Sequence, residues 1–150
     1  MEVKGAPGPH VIIGDFNSLR ISDYTEEYVQ KITSMREKNS WDPPMNKVVE
    51  KMDELGYVDA YRLALFQELN NRSNLNWSED QVLYQQSLND PKYYRDNDFA
   101  TCWAGTRIDY IWLSHSLMNH VDRVEYKKID SNASDHFPVT CKVFFKKDIK

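Results

Sequence analysis

The chain is organised around the stretch VIIGDFNS at residues 11–18. Its three leading apolar residues predict a buried strand, which Gly14 ends. Asp15 and Asn17 follow two residues apart, so their side chains leave the same face while the backbone stays extended. A carboxylate beside a carboxamide can hold a metal ion, activate a water molecule and hydrogen-bond a phosphoryl oxygen. The same residues also favour a turn fixed by their own side chains, and this stretch alone leaves both interpretations open.

Length and composition indicate one folded domain that spans residues 1–150. Hydrophobic residues make up 41% of the chain and aromatic residues 13%, which argues against a disordered protein. The net charge of −4 supplies no general positive field to attract nucleic acid, although a local groove or a bound metal ion could supply one. Cys102 and Cys141 have neither the spacing of a redox motif nor that of a metal finger, and they are predicted to be free thiols.

The sequence gives no sign of membrane insertion or secretion. No stretch approaches the length of a membrane span, and the first ten residues lack the apolar core of a signal peptide. We therefore expect a cytoplasmic or nuclear protein without a transmembrane segment.

The first two thirds of the chain are predicted to hold one strand, two helices and long connections. Glycine and proline in residues 1–9 predict a linker. Asp23 and Glu26 resemble a capping box that starts the first helix, and a second amphipathic helix is predicted over residues 48–55. Residues 64–100 lack clean periodicity and are predicted to be a long loop or insertion, a feature that often carries function in a compact domain.

Alternating apolar residues predict three further strands, at residues 107–113, 120–129 and 138–145. In the first of them Asp109 shares a face with apolar side chains, which is unusual for a solvated carboxylate. Asp109 is therefore expected to have a polar partner.

A second polar cluster, Ser134-Asp135-His136, precedes the last predicted strand. Histidine is the side chain that moves a proton most readily near neutral pH, and a carboxylate bound to one ring nitrogen raises the basicity of the other. Taken alone, the triplet favours a capped turn over a catalytic role.

Four motifs in order along the chain resemble the endonuclease/exonuclease/phosphatase superfamily. They are Gly14-Asp15-Phe16-Asn17, then Gly56 to Arg62, then Thr101 to Tyr110, and finally Ser134-Asp135-His136-Phe137-Pro138-Val139. The superfamily includes deoxyribonuclease I, exonuclease III-type apurinic endonucleases, neutral sphingomyelinases and inositol polyphosphate 5-phosphatases. The resemblance implies an α+β chain with the deoxyribonuclease I-like fold, of which residues 1–150 form about the second half of the four-layer αββα sandwich.

The resemblance also implies a phosphoester hydrolase that uses in-line attack of water, and it assigns catalytic roles. Asp15 would orient or deprotonate the water, and Asn17 would hold the scissile phosphate and its developing charge. His136 would handle the proton or stabilise the phosphate, and Asp109 would orient His136.

The same resemblance implies a metal site and substrate contacts. Asp15, Asn17 and Asp135 would be metal ligands, and Mg²⁺ suits such an all-oxygen site, with Mn²⁺ as a substitute. Asn17, Arg107 and Trp103 would contact substrate, although a strand-edge salt bridge explains Arg107 equally well. Asp59 and Arg62 match a motif that is interpreted as a structural ion pair.

The chain departs from the superfamily pattern in one respect. An N-terminal half with a strand-borne asparagine and a metal-binding glutamate normally precedes the Gly-Asp-Phe-Asn strand, and neither residue has a counterpart here. We expect a fragment, a truncated gene model or one chain of a split enzyme that needs the missing half or a partner chain. The alternative is an inactive binding or interaction module that retains the fold. Among substrates, nucleic acid or nucleotide phosphodiesters rank slightly above inositol or sphingo-phospholipid phosphoesters.

Overall fold

A three-stranded antiparallel sheet forms the centre of the molecule, for which a computed structural model describes residues 8–96 and 98–147. The strands are β1 (Val11–Asp15), β2 (Val58–Asp59) and β3 (Asp109–Leu113), in the order β1-β3-β2. Strand β3 has apolar side chains on both faces because each face packs on a separate core. Tyr110 and Trp112 lie on one face, whereas Ile111 and Leu113 lie on the other. The strand predicted at residues 107–113 is thereby confirmed, with its start two residues later.

Helices pack on both sides of this sheet, and they make the chain α+β. They are α1 (Glu26–Lys38), α2 (Lys47–Glu54), α3 (Ala60–Leu69), α4 (Trp77–Ser87) and the short α5 (His115–Met118). The first helix is capped by Thr25, whose side chain accepts the Tyr28 N–H at 3.3 Å. The prediction that Asp23 caps this helix is wrong. The carboxylate of Asp23 is instead buried in ion pairs with Arg62 and Arg107.

The segment predicted as a long loop or insertion at residues 64–100 is largely helical, so the prediction of a loop is wrong. It contains most of α3, all of α4 and a 3₁₀ turn at Pro91–Tyr93. Trp77 and Tyr84 of α4 are buried against α3, but the buried positions of this helix also include Asp80 and Ser87. Because polar residues share the packed face, the sequence of α4 lacks the apolar periodicity from which an amphipathic helix is predicted. Of the predicted linker at 1–9, residues 1–7 lie outside the described residues.

A second sheet is a two-stranded antiparallel hairpin of β4 (Val121–Lys128) and β5 (Val139–Phe145), as the apolar alternation predicts. Strand β4 packs on α3 through Val121 and Val124 and joins the larger core. The loop between β4 and β5 returns to the main sheet at His136, which forms an isolated bridge with Cys102. In the described part of the chain, no helix has the length and apolar character needed to cross a membrane.

Candidate active site

The antiparallel pairing of β1 with β3 brings two carboxylates to the same end of the main sheet. Asp15, the last residue of β1, lies directly opposite Asp109, the first residue of β3. Side chains opposite each other in an antiparallel pair share a face and lie about 5 Å apart at Cβ. Two of the predicted site residues, separated by 94 positions, are therefore neighbours.

His136 completes this arrangement from the loop between β4 and β5. Its Nδ1 lies 2.9 Å from Oδ2 of Asp109, so Asp109 has the polar partner expected from its position among apolar residues. A carboxylate in this position fixes which ring nitrogen carries the proton and leaves Nε2 to act on other groups. We call Asp15, Asn17, Asp109 and His136 the polar cluster.

The polar cluster raises the pKa of His136. Burial lowers this pKa, but the hydrogen bond and the negative charge of Asp109 oppose the effect, with smaller contributions from Asp15 and Asp135. The net result is a pKa above the usual value of about 6.5. The imidazolium form is therefore favoured more than in a free histidine, and this form can donate a proton or hold an anionic oxygen.

Thr101 holds both halves of the Asp109–His136 pair, a role that no sequence pattern predicted for it. Its Oγ1 accepts the N–H groups of Ile108 and Asp109, each at 3.0 Å. Its carbonyl accepts the N–H of Phe137 at 2.8 Å. Thr101 is 1% exposed. A single buried residue thus positions the start of β3 and the loop that carries His136.

Asp15 and Asn17 form a turn that is fixed by their own side chains. This turn is one of the two interpretations that the sequence allowed for these residues. Asn17 has a φ of 45°, and its backbone N–H donates to Asp15 Oδ1 at 2.8 Å. The side-chain Nδ2 of Asn17 donates to Asp15 Oδ2 at 3.3 Å. Both residues are exposed. The turn places a carboxylate and a carboxamide side by side at the surface, beside Asp109.

The predicted metal ligands are brought together only in part. Asp135 is exposed, and its carboxylate accepts a long hydrogen bond from Ser134 Oγ at 3.3 Å, whereas Asp15 and Asn17 bind each other. Across residues 8–96 and 98–147, no three His, Cys, Asp or Glu side chains are grouped to hold a metal ion. Mg²⁺ often binds through one or two carboxylates, with water and substrate oxygens as its other ligands. The Asp15–Asn17 turn offers donors of that kind and fits part of such a site.

Arg107 is unavailable to substrate, so its predicted role as a substrate-binding residue is wrong. It is 2% exposed, and its guanidinium binds Asp23 at 2.6 Å and Asp59 at 2.7 Å. The alternative interpretation as a salt bridge is the one observed. An arginine whose guanidinium already binds two carboxylates has no free edge for a phosphate.

Asp59 and Arg62 are buried, but the ion pair predicted between them is replaced by pairs with other residues. Arg62 binds Asp23 at 3.0 Å, and Asp59 binds Arg107. Burial would raise the pKa of Asp59, but the charges of Arg107 and Arg20 outweigh it and lower the pKa below the usual value. This buried cluster of charges fixes the segments beneath the site rather than its surface.

A cavity of about 950 Å³ lies elsewhere, between α1, α2 and the end of α4. Its wall includes Arg20, Asp53 and Leu88, and the Arg20 guanidinium is already bound by both oxygens of Asp53. None of the four residues of the polar cluster lines it. The cavity lacks the histidine–carboxylate pair, and for that reason the polar cluster is the better candidate for chemistry.

Comparisons with known proteins returned no relative. No family model matches the chain, and neither the curated proteins nor the solved structures contain a match.

Proposed function

We propose that this chain carries the second half of a metal-dependent phosphoesterase with the deoxyribonuclease I-like fold of the endonuclease/exonuclease/phosphatase superfamily. The observation that supports the proposal most strongly is the Asp109–His136 hydrogen bond of 2.9 Å beside the Asp15–Asn17 turn. The four residues belong to three separate segments, and a scaffold has no need to assemble them. Their order along the chain is also the order of the superfamily motifs.

The proposed reaction is in-line attack of water on a phosphoester. Asp15 orients the water and accepts a proton from it while the new phosphorus–oxygen bond forms. Asn17 donates an amide N–H to a phosphoryl oxygen on which negative charge develops. His136, protonated at Nε2, donates to the departing oxygen as the old bond breaks. Asp109 holds Nδ1 and keeps the imidazolium in place.

A divalent cation would complete the site. Asp15 and Asn17 would hold Mg²⁺ or Mn²⁺, with Asp135 acting on it through charge from the neighbouring loop. Such an ion polarises the phosphoryl oxygen and neutralises charge on it.

We further propose that another segment or chain supplies the remaining metal ligand. Strand β1 is at the edge of its sheet, since among the described strands only β3 pairs with it. Ile13 on this strand is 68% exposed. An open strand edge with an exposed apolar side chain is a surface on which a further strand can add.

Hydrolysis of bis(4-nitrophenyl) phosphate with MgCl₂ tests the proposal. The assay compares the chain alone, the chain mixed with the N-terminal half of a complete superfamily member, and the H136A variant of that mixture. We expect slow or undetectable turnover alone, a clear gain with the added half, and loss of at least about 100-fold in H136A. Strong turnover by the chain alone would contradict the need for a second half. No turnover in any mixture would favour the inactive binding module.

A further inference from the structure

Two exposed indoles contact each other at the surface of the molecule. Trp103 is 63% exposed and Trp41 is 40% exposed. Their ring centroids lie 5.9 Å apart with an interplanar angle of 85°. Single exposed apolar side chains are common, but two large aromatic residues in contact at a surface are a typical feature of binding sites. We call Trp41 and Trp103 the indole pair.

The indole pair is tied to the polar cluster from two directions. The backbone N–H of Trp103 donates to the carbonyl of Asp135 at 2.9 Å, next to His136. The segment that follows Trp41 is held by the carbonyl of Met45, which accepts the N–H of Leu19 at 2.7 Å and the Oγ of Ser18 at 3.2 Å. Ser18 is the residue after Asn17. Both indoles therefore belong to segments that are hydrogen-bonded to the loops carrying Asn17 and His136.

A cation accompanies the aromatic surface. The guanidinium of Arg36 lies 6.0 Å from the ring centroid of Trp41, and its Nε donates to the carbonyl of Asp42. Aromatic faces with a nearby arginine are the combination that binds unpaired nucleic acid, in which bases stack and phosphates meet positive charge.

The arrangement of apolar and polar groups favours a nucleotide, whereas charge alone does not distinguish it from a lipid. Asp15, Asp42 and Asp135 are exposed, and without a bound cation they would repel an anionic membrane and a nucleic-acid phosphate alike. A base attached to a phosphate places its flat ring on the indoles and its charge at the polar cluster. One side of the site is then apolar and the other polar, as a nucleotide requires.

We propose that the indole pair stacks an unpaired nucleobase next to the scissile phosphate, so that single-stranded nucleic acid or a nucleotide is the substrate class. This inference rests on the proposed function, because the phosphate that positions the base is the one held by Asn17 and His136.

Binding in EDTA tests the inference without hydrolysis. Fluorescence anisotropy compares a labelled ten-nucleotide oligothymidylate with an abasic oligomer of the same length and charge. We expect the full chain to bind the base-containing oligomer about ten-fold more tightly or better, and W103A and W41A to lose that preference. W103F should retain part of it because a phenyl ring still stacks. The control V82A, which removes an exposed apolar side chain from α4, should bind like the unaltered chain.

Equal affinity for the two oligomers, or binding to neither, would overturn the inference. A W103A variant that kept the preference for bases but lost binding to vesicles containing phosphatidylserine would also overturn the inference. The indole pair would then be a lipid contact. Hydrolysis is measured separately. Selective binding of bases by a chain that never hydrolyses a phosphodiester would contradict the proposed function and leave base stacking in place.

Discussion

The imidazole of His136 depends on one neighbour more than on any other, because the Asp109 hydrogen bond both orients it and favours its protonated form. Asp109 is held in turn through its backbone N–H by Thr101. These contacts connect the buried hydroxyl of Thr101 to the imidazole of His136 at the surface. The chemistry proposed for the site is therefore sensitive to single-atom changes.

Substitution of Asp109 by asparagine should lower the pKa of His136. The change removes the charge that raises this pKa and weakens the hydrogen bond, while burial continues to lower it. An NMR titration of the imidazole carbon-bound protons measures the shift. D130N, at a carboxylate that is 91% exposed beside Lys128, should leave the titration unchanged. An unaltered pKa in D109N would contradict the geometry of the pair.

The same pair gives a pH dependence of stability with a defined sign. Because the folded state raises the pKa of His136, the protonated form contributes stability that is fully present below about pH 6.5. This contribution is lost as the pH rises through the folded-state pKa. Urea unfolding across pH 5–9 should show this loss of stability in the unaltered chain. The stability of D109N should depend less on pH. Equal pH dependence of the two proteins would be inconsistent with the raised pKa.

At the scale of elements, the start of β3 and the loop before β5 are joined at Thr101. Substitution by valine keeps the shape but leaves the N–H groups of Ile108 and Asp109 without this acceptor. We expect T101V to lower the free energy of unfolding by about 1–3 kcal/mol and to change the pKa of His136, whereas T101S should retain both properties. Urea unfolding and the imidazole titration measure the two effects. If T101V lost stability with the His136 pKa unchanged, Thr101 would not be positioning the pair.

The elements also show what sequence patterns can and cannot reveal. Alternation along residues 107–113 predicted the strand and the need of Asp109 for a partner, because a period of two is a local property. Helix α4 escaped prediction because Asp80 and Ser87 occupy its buried face. Arg107 was misassigned because its partners Asp23 and Asp59 lie 84 and 48 residues away along the chain. Long-range ion pairs leave no periodic trace in a sequence.

At the scale of the whole molecule, a buried cluster of charges connects distant segments. Asp23 binds Arg62 and Arg107, and Arg107 also binds Asp59. These residues belong to the 3₁₀ turn at Ile21–Asp23, β2, α3 and the segment before β3. The cluster fixes the register of the layers beneath the polar cluster. The relative positions of these segments therefore depend on it.

Substitution of Arg107 by methionine should be severely destabilising. It removes the cation that the buried carboxylates of Asp23 and Asp59 share, and leaves them only Arg62 and Arg20 as partners. Removal of one partner from a buried ion pair costs up to about 3–5 kcal/mol. Lys51 and Glu54 provide a matched control, because they form a 3.0 Å ion pair with both side chains more than 60% exposed. K51A should change stability by about 1 kcal/mol or less. Urea unfolding measures the free energy of unfolding of both variants. A decrease in R107M as small as that in K51A would contradict a structural role for the cluster.

We propose that Asp15, Asn17, Asp109 and His136 form one site for a phosphoester and a divalent cation. An NMR titration of the labelled chain, mixed with the N-terminal half of a complete superfamily member, with dimethyl phosphate in millimolar MgCl₂ tests this proposal. We expect the shifted amide and imidazole signals to cluster at these four residues, and we expect D15N to abolish the magnesium-dependent part of the shifts. Signals that stay unchanged at all four positions, or that move only at the cavity between α1 and α2, would contradict it.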